Sequence, residues 1–194
     1  MVSAAWVSLL ILSIEGASSP RRLPPEPPDQ KIFGVVAEHI AKESTASPVF
    51  TGEHGAEQTA ALLVALFHFE SGNDPKAVGD CSPKETTKFG TCMPGARGHS
   101  FGLGQINDSN FKGLGIKSSE DFLGDVGLQV RTSLRMMKSS FAICRTRPLE
   151  ERAAWYVEGS DGCPTSDRAA KLSRHRIGRG IALYKAHPPV PLSP

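Results

Sequence analysis

The chain has few cysteines, nearly balanced charge and no long apolar run. Four cysteines in 194 residues are too few for a disulfide-rich miniprotein, though an even number permits two bridges in an oxidising compartment. No CxxC pair occurs and the cysteine spacings are unlike those of zinc modules, so no metal is expected. Lys and Arg number 22 against 20 Asp and Glu, and a net charge of +2 gives little footing to nucleic-acid binding. No stretch reaches the roughly 20 apolar residues of a membrane-spanning helix, so no stable membrane span is expected. No internal repeat is visible, and no alternating strand pattern runs past a few residues. Collagen, coiled coil and polytopic membrane protein are thereby excluded. With 39% hydrophobic and 22% charged residues, the chain supports one packed, mainly α domain.

The ends differ from the middle. Ala4 to Ile14 form a short apolar run of a length that suits a signal-peptide h-region, and Gly16, Ala17, Ser18 and Ser19 can follow as a cleavage region. Residues 1–19 are therefore read as a signal peptide, which places the protein outside the cytoplasm, in the periplasm. The pattern is imperfect, because no Lys or Arg precedes the run. The alternative is an ordinary apolar N-terminal strand or helix. No lipobox cysteine indicates a lipoprotein. Residues 20–30, PRRLPPEPPDQ, hold five prolines in eleven positions and read as a linker. The proline-rich end, 187–194, reads as a tail. The globular part is then 31–186.

Within it, Ile32, Val36 and Ile40 stand at helical spacing over 32–43. The segment 55–72 is a stronger helix, apolar nearly all round, and should be central and buried; Gly72 suits its C-terminal end. Residues 73–100 are rich in turn formers. A helix is expected over 125–141, with Leu128, Leu134 and Phe141 broadly on one side, and a short one over 150–159. Residues 167–187 read as one or two helices, weakened by Gly178 and Gly180.

Glu70 is the unexpected residue, a carboxylate at the end of the apolar helix. Burial beside Phe67 and Phe69 would raise its pKa, and the negative end of the helix dipole pushes the same way. A carboxyl kept protonated near neutral pH is what a general acid needs. The plain alternative is a Glu turned to solvent at a frayed helix end. Glu70-Ser71-Gly72 is followed, after a cysteine-flanked loop, by Ser100-Phe101-Gly102-Leu103-Gly104-Gln105-Ile106-Asn107. This is a tight loop that can bring backbone and amide groups close to a sugar. Trp155-Tyr156 then precedes Gly159.

This order resembles the lytic transglycosylases of the lysozyme-like superfamily. Their pattern is a helix ending in Glu-Ser, a Gly-Leu-Met-Gln-Ile/Val-Asn loop and a Tyr-Asn-x-Gly stretch. The chain is most similar to the branch associated with type IV secretion and conjugation, where Gly104 in place of Met, Asn110-Phe111 and Leu114-Gly115-Ile116 have counterparts. The resemblance covers about residues 55–160. It departs at Val157, where Asn is usual, and at Glu158. It implies a lysozyme-like domain with a substrate cleft and no cofactor, cutting the β-1,4 bond between N-acetylmuramic acid and N-acetylglucosamine. Glu70 would protonate the glycosidic oxygen and then act as base, while the muramic acid 6-hydroxyl closes to a 1,6-anhydro product. One carboxylate then suffices, where retaining and inverting glycosidases need a pair. Asp74, Asp80 and Asp108 leave hydrolysis, as in a lysozyme, open. A third reading is a non-catalytic peptidoglycan-binding assembly module.

The resemblance assigns substrate contacts to Ser71, Gly102, Leu103, Gln105, Asn107 and Tyr156. Four of them have a plainer alternative: Ser71 bonding its own backbone, Gln105 and Asn107 stabilising the loop, Tyr156 as a core aromatic. The partners implied are peptidoglycan glycan strands and components of a secretion or conjugation apparatus. Cys81 and Cys92 bracket the loop between the first two motifs, and Cys144 and Cys163 bracket the third. Sequential pairing would staple both segments; it is one of three connectivities, and the sequence does not choose. Between Arg168 and His187 stand six Lys and Arg and no acid. This stretch reads as a solvated basic face, or as one drawn to acidic wall polymers.

Overall fold

The apolar run from Thr59 to Phe67 is buried on every side. The computed structural model describes residues 1–16, 30–86, 92–93, 98–159 and 161–189. Its elements run α1 (Ala4–Gly16), α2 (Gln30–Ala46), α3 (Gly55–Ser71), β1 (Val78–Gly79), β2 (Ser100–Phe101), β3 (Ile106–Asn107), α4 (Phe111–Leu114), α5 (Ser119–Gly124), α6 (Val126–Ile143), α7 (Ala154–Glu158) and α8 (Asp167–Ala186). The chain is mainly α, as expected. The proline-rich segment around 20–29 and the end of the tail, 190–194, lie outside the described residues.

Helix α3 is the central element, packed against α1, α2 and α8. Full burial of Leu62, Leu63, Leu66 and Phe67 stabilises the fold by about 1.5–3 kcal/mol per side chain. The helix stops at Gly72, which takes φ +66, a conformation open to glycine at little cost. Helix α8 runs unbroken through Gly178 and Gly180. A Cβ on Gly180 would stand 2.9 Å from Leu62 Cα, so the glycine lets the two backbones approach. The residue that weakens the helix locally is thus what seats it on α3.

Helix α1 belongs to the same core. Val7, Leu10, Ile11 and Ile14 are fully buried, and the Trp6 indole donates to the His187 carbonyl at 2.8 Å. In the full chain the apolar run read as a signal-peptide core is helical and packed. No helix among the described residues is long and apolar enough to cross a membrane.

A second, smaller cluster holds Phe101, Ile106, Phe111, Ile116 and Phe122. It is built on a three-stranded antiparallel sheet in the order β1-β2-β3, with Val78 opposite Phe101 and Phe101 opposite Ile106. These strands of two residues each are too short to leave an alternating pattern in the sequence. Helix α6 runs beside both clusters: Val130, Leu134 and Met137 are buried, and Leu128 and Phe141 pack partly buried against the clusters. Gln129, Thr132, Ser133 and Ser140 are buried as well. Gln129 bonds to Leu103, Pro75 and Phe122, and Ser140 to Arg152 and Tyr156. Cys81–Cys92 and Cys144–Cys163 form the two disulfides, so the sequential pairing is the one adopted. The first ties β1 to the long connection before β2, and the second ties the end of α6 to the segment before α8.

Candidate active site

Glu70 lies in the last turn of α3, and its side chain is 17% exposed. Its Oε1 accepts from Arg176 Nε on α8 at 2.7 Å. The carboxyl is pushed above its ordinary value, first by burial and further by the charge of Asp80, while the Arg176 guanidinium pulls it down. Burial wins. The direction matches the expectation from the sequence; the pairing with Arg176 adds to it. Arg176 belongs to the basic stretch after Arg168, yet on a helical wheel it falls within the buried stripe of Ala169, Ser173, Ile177, Gly180 and Leu183. An arginine in a buried stripe needs an acid partner, and that was the available signal. The guanidinium also sits over the Phe69 ring, 5.9 Å from its centroid.

The Gly-Leu-Gly-Gln segment is the turn between β2 and β3. The Gln105 N–H donates to the Gly102 carbonyl at 3.1 Å, and Gly102 and Gln105 take φ of +70 and +47. Gln129, fully buried on α6, secures the turn: its Oε1 accepts from the Leu103 N–H at 2.9 Å. Its Nε2 donates to the carbonyls of Pro75 and Phe122, each at 3.0 Å. One amide thus joins three segments, a role that nothing in its local sequence marks.

Tyr156 on α7 packs against both hydrophobic clusters, at their boundary. Its hydroxyl donates to the Gly104 carbonyl at 2.9 Å. Burial, and then the charge of Glu70, push the phenol well above its ordinary value, so it remains a hydrogen-bond donor. A Cβ on Gly104 would collide with Ser133 Oγ and the Tyr156 hydroxyl. Gly104→Ala is therefore expected to destabilise the protein by about 1–3 kcal/mol, read as a lower urea midpoint, because both side chains must move. An unchanged midpoint would mean that the turn yields freely.

Glu70 thus lies within electrostatic reach of Arg176, Asp80 and Tyr156, whose hydroxyl is bonded to the glycine turn. Ser71, Gln105 and Asn107 are engaged differently. Ser71 Oγ donates to the Phe67 carbonyl at 3.0 Å. Gln105 Nε2 donates to the carbonyls of Ala77 and Gly102, and Asn107 Oδ1 accepts from the Ser109 N–H and hydroxyl. All three stabilise the local backbone, and the side chain of Leu103 is fully buried. Asp80, at φ +56, accepts from the Ser100 hydroxyl across the sheet.

Two surface hollows lie elsewhere. One of about 380 Å³ is lined by Glu43, Ser47, Arg131, Arg135 and Lys138, and one of about 190 Å³ by Asn110, Leu114, Arg135 and Trp155. No protein-family model, curated protein or solved structure matches this chain.

Proposed function

We propose that the protein is a peptidoglycan lytic transglycosylase with a lysozyme-like fold, in which Glu70 is the general acid. The observation that carries this reading is the buried carboxyl of Glu70, raised in pKa and held through Oε1 by Arg176. That grip leaves Oε2 to carry the proton. Tyr156 packs against both hydrophobic clusters and bonds to the Gly102–Gln105 turn, and the proposal sets the substrate beside them.

In this mechanism Glu70 Oε2 gives its proton to the oxygen that leaves the anomeric carbon, and the glycosidic bond breaks. The carboxylate then takes the proton of the muramic acid 6-hydroxyl as that oxygen bonds to the same carbon. The products are a free sugar hydroxyl and a 1,6-anhydro end, and Glu70 ends protonated. Arg176 steadies the carboxylate formed between the two steps. Tyr156 fixes the turn through the Gly104 carbonyl. Two disulfides fit an oxidising compartment outside the cytoplasm, where peptidoglycan is met. Local wall opening for a secretion or conjugation apparatus is the role that the sequence resemblance suggests.

A second reading, hydrolysis, is favoured by one observation: Asp80 is a second carboxylate whose charge reaches Glu70. Mass spectrometry of muropeptides released from purified peptidoglycan separates the two. Anhydro ends are expected; ends heavier by one water mean hydrolysis, and no release at all removes both readings.

Arg176→Met tests the acid. With the guanidinium gone, burial acts unopposed and the Glu70 pKa rises further. The protonated acid then persists to higher pH, so the alkaline limb of the kcat/KM profile is expected to move up. A limb that stays in place or moves down would show that another group sets it.

A further inference from the structure

We infer that helix α1 is a working part of the Glu70 site and that Glu15, near its end, is a positioning residue for the acid. The inference rests on the reading of Glu70 given above and on residues 1–16 being kept in the working protein. Glu15 Oε1 accepts from two donors, His68 Nδ1 at 2.8 Å and Asn73 Nδ2 at 2.8 Å. His68 stands two residues before Glu70 and Asn73 three after it, so one oxygen of α1 bridges the stretch that carries the acid.

Both anchor points are fixed from other sides. Asn73 is fully buried at φ +60, and its N–H closes the helix end on the Phe67 carbonyl at 3.2 Å. A non-glycine residue in that conformation is held there by its bonds, and the amide bond to Glu15 is one of them. The His68 ring meets Phe69 edge to face at 5.4 Å, and Phe69 lies 4.4 Å from the His175 ring. His175 is the neighbour of Arg176, the partner of Glu70. Glu15 therefore restrains Glu70 along the backbone of α3 and through the rings that support Arg176. Val7, Leu10, Ile11 and Ile14 anchor the helix that delivers it. A carboxylate at the end of an apolar run serves no purpose in the run itself. Its use becomes visible only against residues 53 and 58 positions further along.

The test compares Glu15→Leu with Glu15→Gln in the full chain. Glutamine keeps an oxygen that can accept both bonds, and leucine cannot. The first readout needs no substrate: carbon-13 NMR titration of the Glu70 carboxyl. Its shift and midpoint are expected to change in Glu15→Leu and to stay near wild type in Glu15→Gln. The second is muropeptide release. Glu15→Leu is expected to lose about ten- to a hundredfold in kcat with KM nearly unchanged, as for a displaced catalytic group, and Glu15→Gln to keep most of it. If Glu15→Leu does not fold, His68→Phe cuts the same link from α3 and should give the same change in the Glu70 signal. A Glu70 titration identical in wild type, Glu15→Leu and His68→Phe overturns the inference. So does an equal loss in the leucine and glutamine variants. A wild-type protein that releases no muropeptides while its Glu70 signal still answers to Glu15 overturns only the functional reading.

Discussion

Glu70→Gln is expected to fold like the wild type and to lose about a hundred- to ten-thousandfold in muropeptide release, the usual contribution of a general acid. Glutamine keeps the shape of the side chain and an oxygen for Arg176 Nε, so the ion-pair geometry loses charge but not its hydrogen bond. What it cannot do is give up a proton. The stability change has a definite sign. Glu70 has a folded pKa above its ordinary value of 4.5, so its stabilising contribution is fully present below the unfolded pKa and is lost as pH rises through the folded one. Glutamine does not ionise and avoids that loss. Glu70→Gln should therefore melt slightly above wild type at neutral pH, and the difference should shrink as pH falls below the ordinary carboxylate range. Undiminished turnover in a folded Glu70→Gln protein would end the proposal. A melting difference that grows toward acid pH would mean that Arg176, not burial, dominates at Glu70.

Deleting residues 1–16 is expected to abolish cooperative folding. Val7, Leu10, Ile11 and Ile14 are fully buried against the central helices. At about 1.5–3 kcal/mol each, their loss removes roughly 6–12 kcal/mol, against a typical net stability of about 5–15 kcal/mol for a domain. The faces of α2 and α3 that they cover would also become an exposed apolar surface. The shortened protein should show a broad thermal transition by circular dichroism and should bind a hydrophobic dye. A sharp transition within a few degrees of the full chain would show that α1 adds little. The same result bears on processing. A form cut after Ser19 would lack the whole helix, so a folded exported form that has been cut must cover this surface in another way.

Much of the helical framework was legible because helices leave a local record. The 3.6-residue spacing marked α2, and the all-round apolar character marked α3 as central, since a helix with no polar face is stable only when surrounded. Gly72 marked its end because a left-handed residue is needed there. The hairpin that carries Gly102 to Gln105 was legible only as a tight loop. Its strands have two residues each, below the length at which alternation can be seen. Propensity alone makes α8 breakable at its glycines because it is a local quantity, and the close crossing over Leu62 is not.

That a carboxylate ends the buried helix, and that a turn with two glycines follows it, can be read from residues within a few positions of one another, since both rest on local backbone preferences. The remaining features come from contacts between distant elements. Three cysteine pairings were possible, and the positions of β1, α6 and the segment before α8 select one. The run at 4–14 is only an apolar stretch in the sequence, and the faces of α2 and α3 give it a place in the core of the full chain. Arg176 could be one cation among six, and the crossing of α8 over α3 sets it on Glu70. The physical reason is the same in each case. Burial and charge pairing depend on which distant elements meet, and that information is spread over the whole chain rather than held in any window of it.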